Sequence, residues 1–250
     1  MKKTLLPSTI AVALAILAGP VTADTVKISG ASTVFAAVVS SGKAAVEKST
    51  GHTLQLVSSN SGKGLADLAS GAADIAMVSE PLDVSAPLAE VAGTKIDAKA
   101  VQFFELKKDE IVFIVHPSNP VGKLTPEQLG GILSGKIGNW KEVGGMDKAI
   151  AVYGEGPTAG TRAMIKKLLL SGAEFTSGLK AQSSIKRVAE LVAGDEAGIA
   201  GVGRNFVEAG KTKAVASKKF ERPLALATLG APKPAAKAVI DAYTKEAKTL

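Results

Sequence analysis

The sequence predicts an α/β protein of two lobes with a ligand cleft between them. Three observations carry this. Short apolar runs alternate with amphipathic ones, the pattern of parallel βαβ units. The alternation occurs twice, over residues 24–105 and 106–216, and a strand and a helix remain at 217–250. The chain is therefore expected to return to its first lobe. Finally, three polar turns rich in Ser, Thr and Gly each follow a strand and open a helix. In sheets of this kind ligands bind at the carboxyl ends of strands.

In chain order, residues 1–23 read as a secretory signal peptide. Lys2 and Lys3 open it, an apolar run over 5–18 follows, and Val21-Thr22-Ala23 offers a small-residue cleavage site. The apolar run is shorter than the roughly 20 residues that span a bilayer. Cleavage after Ala23 would start the mature chain at Asp24. With no Cys to carry a lipid, the periplasm is the expected location.

Residues 25–29 form the first strand, and Gly30-Ala31-Ser32-Thr33 leads into a helix over 34–48. Residues 54–57 form the second strand. The polar turn 58–64 feeds a helix over 65–70, ended by Gly71. A third strand over 74–78 ends in Ser79-Glu80-Pro81-Leu82, and residues 87–93 form a short helix or turn. Two apolar runs, 100–106 and 111–116, are separated by the charged Lys107-Lys108-Asp109-Glu110 and read as separate strands. Thr125 is an N-cap with Pro126 at the first helical position and Gln128 at capping-box spacing. Residues 135–140 form an irregular loop carrying the single Trp. A strand over 149–153 precedes the third polar turn and a helix from Thr161. A polar loop, 175–180, a helix, 184–193, and a short strand, 198–202, follow. A strand over 222–229 and a final helix over 232–248 end the chain.

Composition excludes several functions. The formal charge is +7, or about +5 without Lys2 and Lys3, and the basic residues are scattered among acidic ones. Aromatic residues make up only 4%, too few for the stacking platforms of a single-stranded nucleic-acid binder. The lack of Cys removes thiolate chemistry and Cys-ligated zinc. The two His, His52 and His116, form no helical pair with Asp or Glu, so the sequence calls for no metal and no cofactor. Gly203 to Thr212 ends in Gly-Lys-Thr, but six residues separate its glycines where a P-loop has four. Ser40 to Lys43 and Ser183 to Lys186 match Ser-x-x-Lys without the supporting motifs of penicillin-binding enzymes.

Taken singly, each polar turn is an N-cap, because Ser and Thr oxygens satisfy free helix N–H groups. Three together exceed what capping requires and predict a shared small-ligand cleft. The stretches ISGASTVFAAV (28–38), SSNSGKGLADLASGAADIAMVSEPL (58–82), LTPEQLGGILSGKIGNWKEVGG (124–145) and GEGPTAGTRAMIKKLL (154–169) make the resemblance specific. The chain resembles the phosphate-type periplasmic substrate-binding proteins of ABC transporters, and RPLALATLGAP (222–232) is similar to that family's returning strand. The resemblance implies a type II-like periplasmic binding protein, with lobe 1 over 24–105 plus 217–250 and lobe 2 over 106–216. It implies a monomer that binds phosphate or a related oxyanion, docks on an ABC permease in the inner membrane, and is not an enzyme.

The resemblance also implies the site residues. Thr33 and the Val34 N–H would serve from the first turn, Ser61 and Gly62 from the second. Glu80 would accept a proton from a protonated oxyanion. Gly160 and Thr161 match the end of the family's Gly-Ser-Gly-Thr turn, and Arg162 matches an Arg that follows it. Two residues depart from the pattern: Glu155 stands where phosphate binders commonly have Arg, and Ala159 where they have Ser. Lys63 and Arg162 remain as counter-charges. The departures motivate an alternative, the same fold used as a sensor or scavenger for a less charged ligand. A secreted Ser hydrolase is a further alternative, requiring a base near a Ser such as Ser61.

Overall fold

The computed structural model describes residues 23–249; the expected signal peptide falls almost wholly outside the described residues. Among those residues no helix is long and apolar enough to cross a membrane. The first strand, β1 (Thr25–Ala31), alternates exposed and buried residues before becoming wholly buried. α1 (Ser32–Val34) continues through a π turn, Phe35–Val39, into α2 (Ser40–Thr50), so the first helix is longer than its sequence period suggests. Gly51, in the left-handed conformation, ends it. β2 (Thr53–Ser59) and β3 (Ile75–Val78) flank β1 in parallel. Between them lies α3 (Ser61–Ala69), which starts four residues before the apolar period because Asn60 caps it, accepting from the Lys63 N–H at 3.0 Å. α4 (Leu82–Val91) likewise extends further back than the sequence signal and accommodates Pro87.

The centre of the sheet departs from expectation. β4 (Val101–Val115) is one strand of 15 residues, not two, and it runs straight through the charged Lys107 to Glu110. After α5 (Pro126–Ser134), with its Thr125–Gln128 capping box, come β5 (Ala151–Glu155), α6 (Gly160–Leu169) and β6 (Lys180–Gln182). The loop around Trp140 holds a short 3₁₀ turn, Trp140–Val143, with a second capping box from Asn139 and Glu142. α7 (Ile185–Ala193) and β7 (Gly198–Gly203) precede β8 (Lys213–Leu229), whose 17 residues begin well before the apolar run at 222. α8 (Pro234–Glu246) closes the chain.

The strands form one sheet in the order β2-β1-β3-β8-β4-β7-β5-β6. The two ends are parallel, as expected. The middle is antiparallel: β8 pairs with β3 and β4, and β4 with β7. The all-parallel reading fails there because β4 and β8 cross the molecule side by side, each about 50 Å long at ordinary strand rise. A crossing strand passes from one core to the other, so its middle is polar. Leu106 and Leu224 belong to a core built around Ile28, Val34, Val38 and Tyr243. Ile111 and Phe220 belong to a second core around Trp140, Leu129 and Ile165. Asp109 pairs with Arg222 in register between these cores.

α8 packs on the first core, where the Tyr243 hydroxyl donates to the Val39 carbonyl at 3.0 Å. The C-terminal helix thus does return to the first half. In the second half the Trp140 indole N–H donates to the Ala197 carbonyl at 2.9 Å, so the one Trp is buried with its polar atom satisfied.

Gly30 is where β1, β3 and α3 meet most closely. Its φ is +134°, and a Cβ there would lie 2.3 Å from the Met77 carbonyl oxygen. Gly30→Ala is expected to cost at least about 2 kcal/mol, from positive φ and a backbone clash that cannot relax. Urea denaturation would measure it.

Candidate ligand-binding site

The site is built where β1, β2, β3 and β5 end and helices begin. α1 brings Thr33, 2% exposed. Its neighbour Val34 is packed in the first core. The start of α3 brings Ser61 and Gly62, both buried. The segment after β3 brings Ser79 and Glu80, β5 ends at Glu155, and α6 opens with Gly160 and Thr161. A small cavity of about 10 Å³ lies among Thr33, Ser61, Glu155, Gly160 and Thr161. This is about the space of one water, so the two halves are closed upon each other.

Glu80 is fully buried. Its Oε2 accepts from the Ser61 hydroxyl at 3.0 Å and the Ser79 hydroxyl at 2.9 Å. Its Oε1 has no partner. Burial pushes its pKa up, and the two serines and Arg222 oppose that shift without cancelling it. Gly160 comes against this carboxyl from the other half: a Cβ on it would sit 1.5 Å from Glu80 Oε2. The absence of a side chain at 160 is therefore what lets α6 close on Glu80. The closure is completed by the Gly62 N–H donating to the Thr158 carbonyl at 3.1 Å, and by the exposed Lys167–Asp83 pair at 2.7 Å. Gly62 thus directs its N–H across the cleft to a carbonyl.

The guanidinium at the centre comes from Arg222, which is 2% exposed. Its Nε and Nη2 donate to Asp109 Oδ2 at 3.0 and 2.9 Å. Nη1 donates to Thr161 Oγ1 at 2.8 Å and Nη2 to Thr33 Oγ1 at 3.4 Å. One side chain therefore reaches hydroxyls from both halves. In the sequence Arg222 stands at the head of the returning strand, 222–232, and no role in the site is expected of it. The available signal was an Arg heading an apolar strand, where a charge is buried only if paired.

Arg162 has its partners on its own half. Its Nη1 donates to the Glu155 carbonyl at 3.2 Å and its guanidinium lies over the Phe175 ring at 5.1 Å. The guanidinium is turned away from Thr33 and Ser61 because Phe175 offers it a cation–π partner. Lys63 is exposed. Ala159 caps α6 without a side-chain bond, so the helix start has unpaired donors. Neither His is near: His52 accepts from the Asp24 N–H, and His116 bonds Ser118. Ser61 has Glu80, not an imidazole, as its partner. Among the described residues no group of three potential ligands could hold a metal.

Glu155, 5% exposed, faces the cavity. Burial raises its pKa from 4.5 to about 7. The Arg222 charge, the Thr161 hydroxyl and the Ile185 N–H pull it down, while Glu80 pushes it up.

Buried hydroxyls, one guanidinium and three helix starts thus meet at the seam of a two-lobed α/β fold. A family model described as PBP superfamily domain matches residues 18–247, and the chain belongs to that family. The phosphate-binding protein PstS of Bacillus subtilis (strain 168) is 32% identical over 157 residues, 63% of this chain and 50% of that protein. The chain spans about half the length of the curated relatives it matches first. A Clostridium perfringens protein solved with bound phosphate, a candidate phosphate ABC transporter substrate-binding protein, superposes with TM-score 0.76. It is 24% identical, covering 87% of this chain and 92% of its own. An ABC-type phosphate transport receptor from Vibrio cholerae gives TM-score 0.66 at 24% identity, covering 90% and 95%. At these identities the two structures establish the shared fold.

The raised pKa of Glu155 links to stability. Between about pH 4.5 and 7 the folded state holds a proton that the unfolded state has lost, so stability falls as pH rises through this window. Glu80 shifts in the same direction. Glu155→Gln should remove the Glu155 contribution, on the order of 2–3 kcal/mol. The variant is expected to be more stable than the parent at about pH 8 and close to it at about pH 5, as read by denaturant midpoints.

Proposed function

We propose that this chain is an extracytoplasmic solute-binding protein that captures phosphate or a related small oxyanion for an ABC importer. The observation that carries the reading is Arg222, a buried guanidinium in hydrogen-bond reach of hydroxyls from both halves. An anion entering an opened cleft would take the place of one or both of those bonds. It would meet the Arg222 charge, the Thr33, Ser61 and Thr161 hydroxyls, and the free N–H groups at the start of α6. The N–H groups of Val34, Gly62 and Gly160 complete the proposed set. The names of the curated relatives support phosphate as the solute, and the chemistry needs no cofactor.

The mechanism is closure of two lobes about the crossing strands, with the ligand contacting both. Lobe 1 is proposed as 24–105 plus 217–250 and lobe 2 as 106–216. The change of core between Leu106 and Ile111 and between Phe220 and Leu224 supports a hinge in these strands. A monomer, exported to the periplasm through cleavage after Ala23, would dock its closed form on a membrane permease. The two acids in the cleft favour a second reading: the same clamp as a sensor or scavenger of a less charged solute.

Calorimetric titration of the protein with inorganic phosphate tests the first reading. Binding is expected, and Arg222→Met should weaken it by about ten- to a hundredfold, the worth of one buried charge-assisted hydrogen bond. No heat and no thermal shift at millimolar phosphate would remove phosphate as the solute.

A further inference from the structure

We propose that Glu155 sets the protonation state of the solute: together with Glu80 it makes the cleft select an oxyanion carrying two hydroxyl groups, the phosphate monoanion, over the dianion. This rests on the oxyanion reading above and sharpens it.

Thr33, Ser61, Glu155 and Thr161 line the cavity, and Glu80, Asp109 and Arg222 lie behind that lining. α1 supplies the neutral Thr33. α3 supplies Ser61 and Gly62, and its Lys63 is exposed. The segment after β3 supplies Glu80, β4 supplies Asp109, and β8 supplies Arg222. β5 supplies Glu155. α6 supplies Thr161, and its Arg162 guanidinium lies on Phe175. α7 supplies only the Ile185 N–H. The one inward cation is already paired, since two of the Arg222 nitrogens bond Asp109. Two further carboxyls therefore stand in the cleft without a cation of their own. A bare dianion among them would add like charge to like charge in a buried site.

Ligand hydroxyls resolve the conflict. Glu80 Oε1 is a fully buried oxygen without a partner and waits for a donor. Glu155 is a second acceptor, on the opposite half. Each can take one O–H from the solute, which then needs two. Placing the protons on the carboxyls and the charge on the ligand leaves the proton count of the complex unchanged. Either way the complex holds one proton more than the hydrogen phosphate dianion and two carboxylates can supply. An Arg at 155 would remove this requirement.

The test is phosphate titration of the full protein at about pH 6 and about pH 8, by calorimetry, with Glu155→Gln alongside. The parent should bind at least about tenfold more weakly at the higher pH. Glu155→Gln should lose most of that dependence, and at the higher pH should bind at least about tenfold more tightly than the parent. Should the variant fold poorly, the parent alone decides: titrations near pH 8 in buffers of different ionisation heat should read about one proton taken up per phosphate bound. Phosphate affinity that is flat or rises with pH, no proton uptake, or an unchanged pH slope in Glu155→Gln would overturn the proposal. Phosphate bound at neither pH would overturn the oxyanion reading, and this one with it.

Discussion

A guanidinium buried at the crossing of two strands is the constraint on which the arrangement depends. Arg222 is out of water, so its charge must be met by protein. Asp109, its register partner on β4, meets most of it. Two further N–H groups go to Thr161 and Thr33, one from each half. The hydrogen bonds that keep a buried cation tolerable thus also join the two halves, beside the Gly62–Thr158 and Lys167–Asp83 contacts.

The crossing also explains why the sheet is mixed. Two βαβ halves made of local units would give two parallel sheets. Joining them requires strands that leave one core and enter the other. Such strands are buried at each end and polar between, and β4 shows this with Leu106, then Lys107 to Glu110, then Ile111. Register shifts between Glu105 and Lys107 and between Ile111 and Phe113 absorb the change of face. The same geometry that breaks the hydrophobic pattern puts Asp109 and Arg222 at the seam.

This is why the sequence was legible in some places and not others. Local signals read correctly. The Thr125–Gln128 capping box, the stop at Gly51 and the apolar strand over 149–153 depend on neighbours in the chain. The ends of α3 and α4 were misjudged because apolar period marks where a helix packs, not where its cap begins. β4 was split and the first half of β8 overlooked because a polar stretch is a break in any strand buried on one side throughout. Only tertiary crossing makes Lys107 and Glu110 strand residues. β6 has three residues, none buried, and pairs by register with β5; no composition signals that. At the cleft, the Ser/Thr/Gly turns were visible as turns, and their convergence followed from the strand ends. Arg222 was not, since its role comes from a partner 113 positions away.

Glu155 shows what a departure from a family pattern is worth once its surroundings are known. From sequence it reads as a lost Arg, a subtraction from affinity. In the structure it is 5% exposed, faces the cavity, and feels the like charge of a second buried carboxyl, Glu80. A surface carboxylate would carry no consequence, and a carboxylate with its own cation would be a closed ion pair. Here neither holds, because the only inward guanidinium is committed to Asp109. Two acids and one spoken-for base leave the site with a surplus of acceptors once the protons are gone, and a surplus of donors while they remain. That imbalance is corrected by whatever brings or accepts hydrogen bonds at both carboxyls. Substitution at 155 would alter the number of protons the cleft holds, whereas substitution at Ala159, which also lines the cavity, would alter its shape and a helix cap.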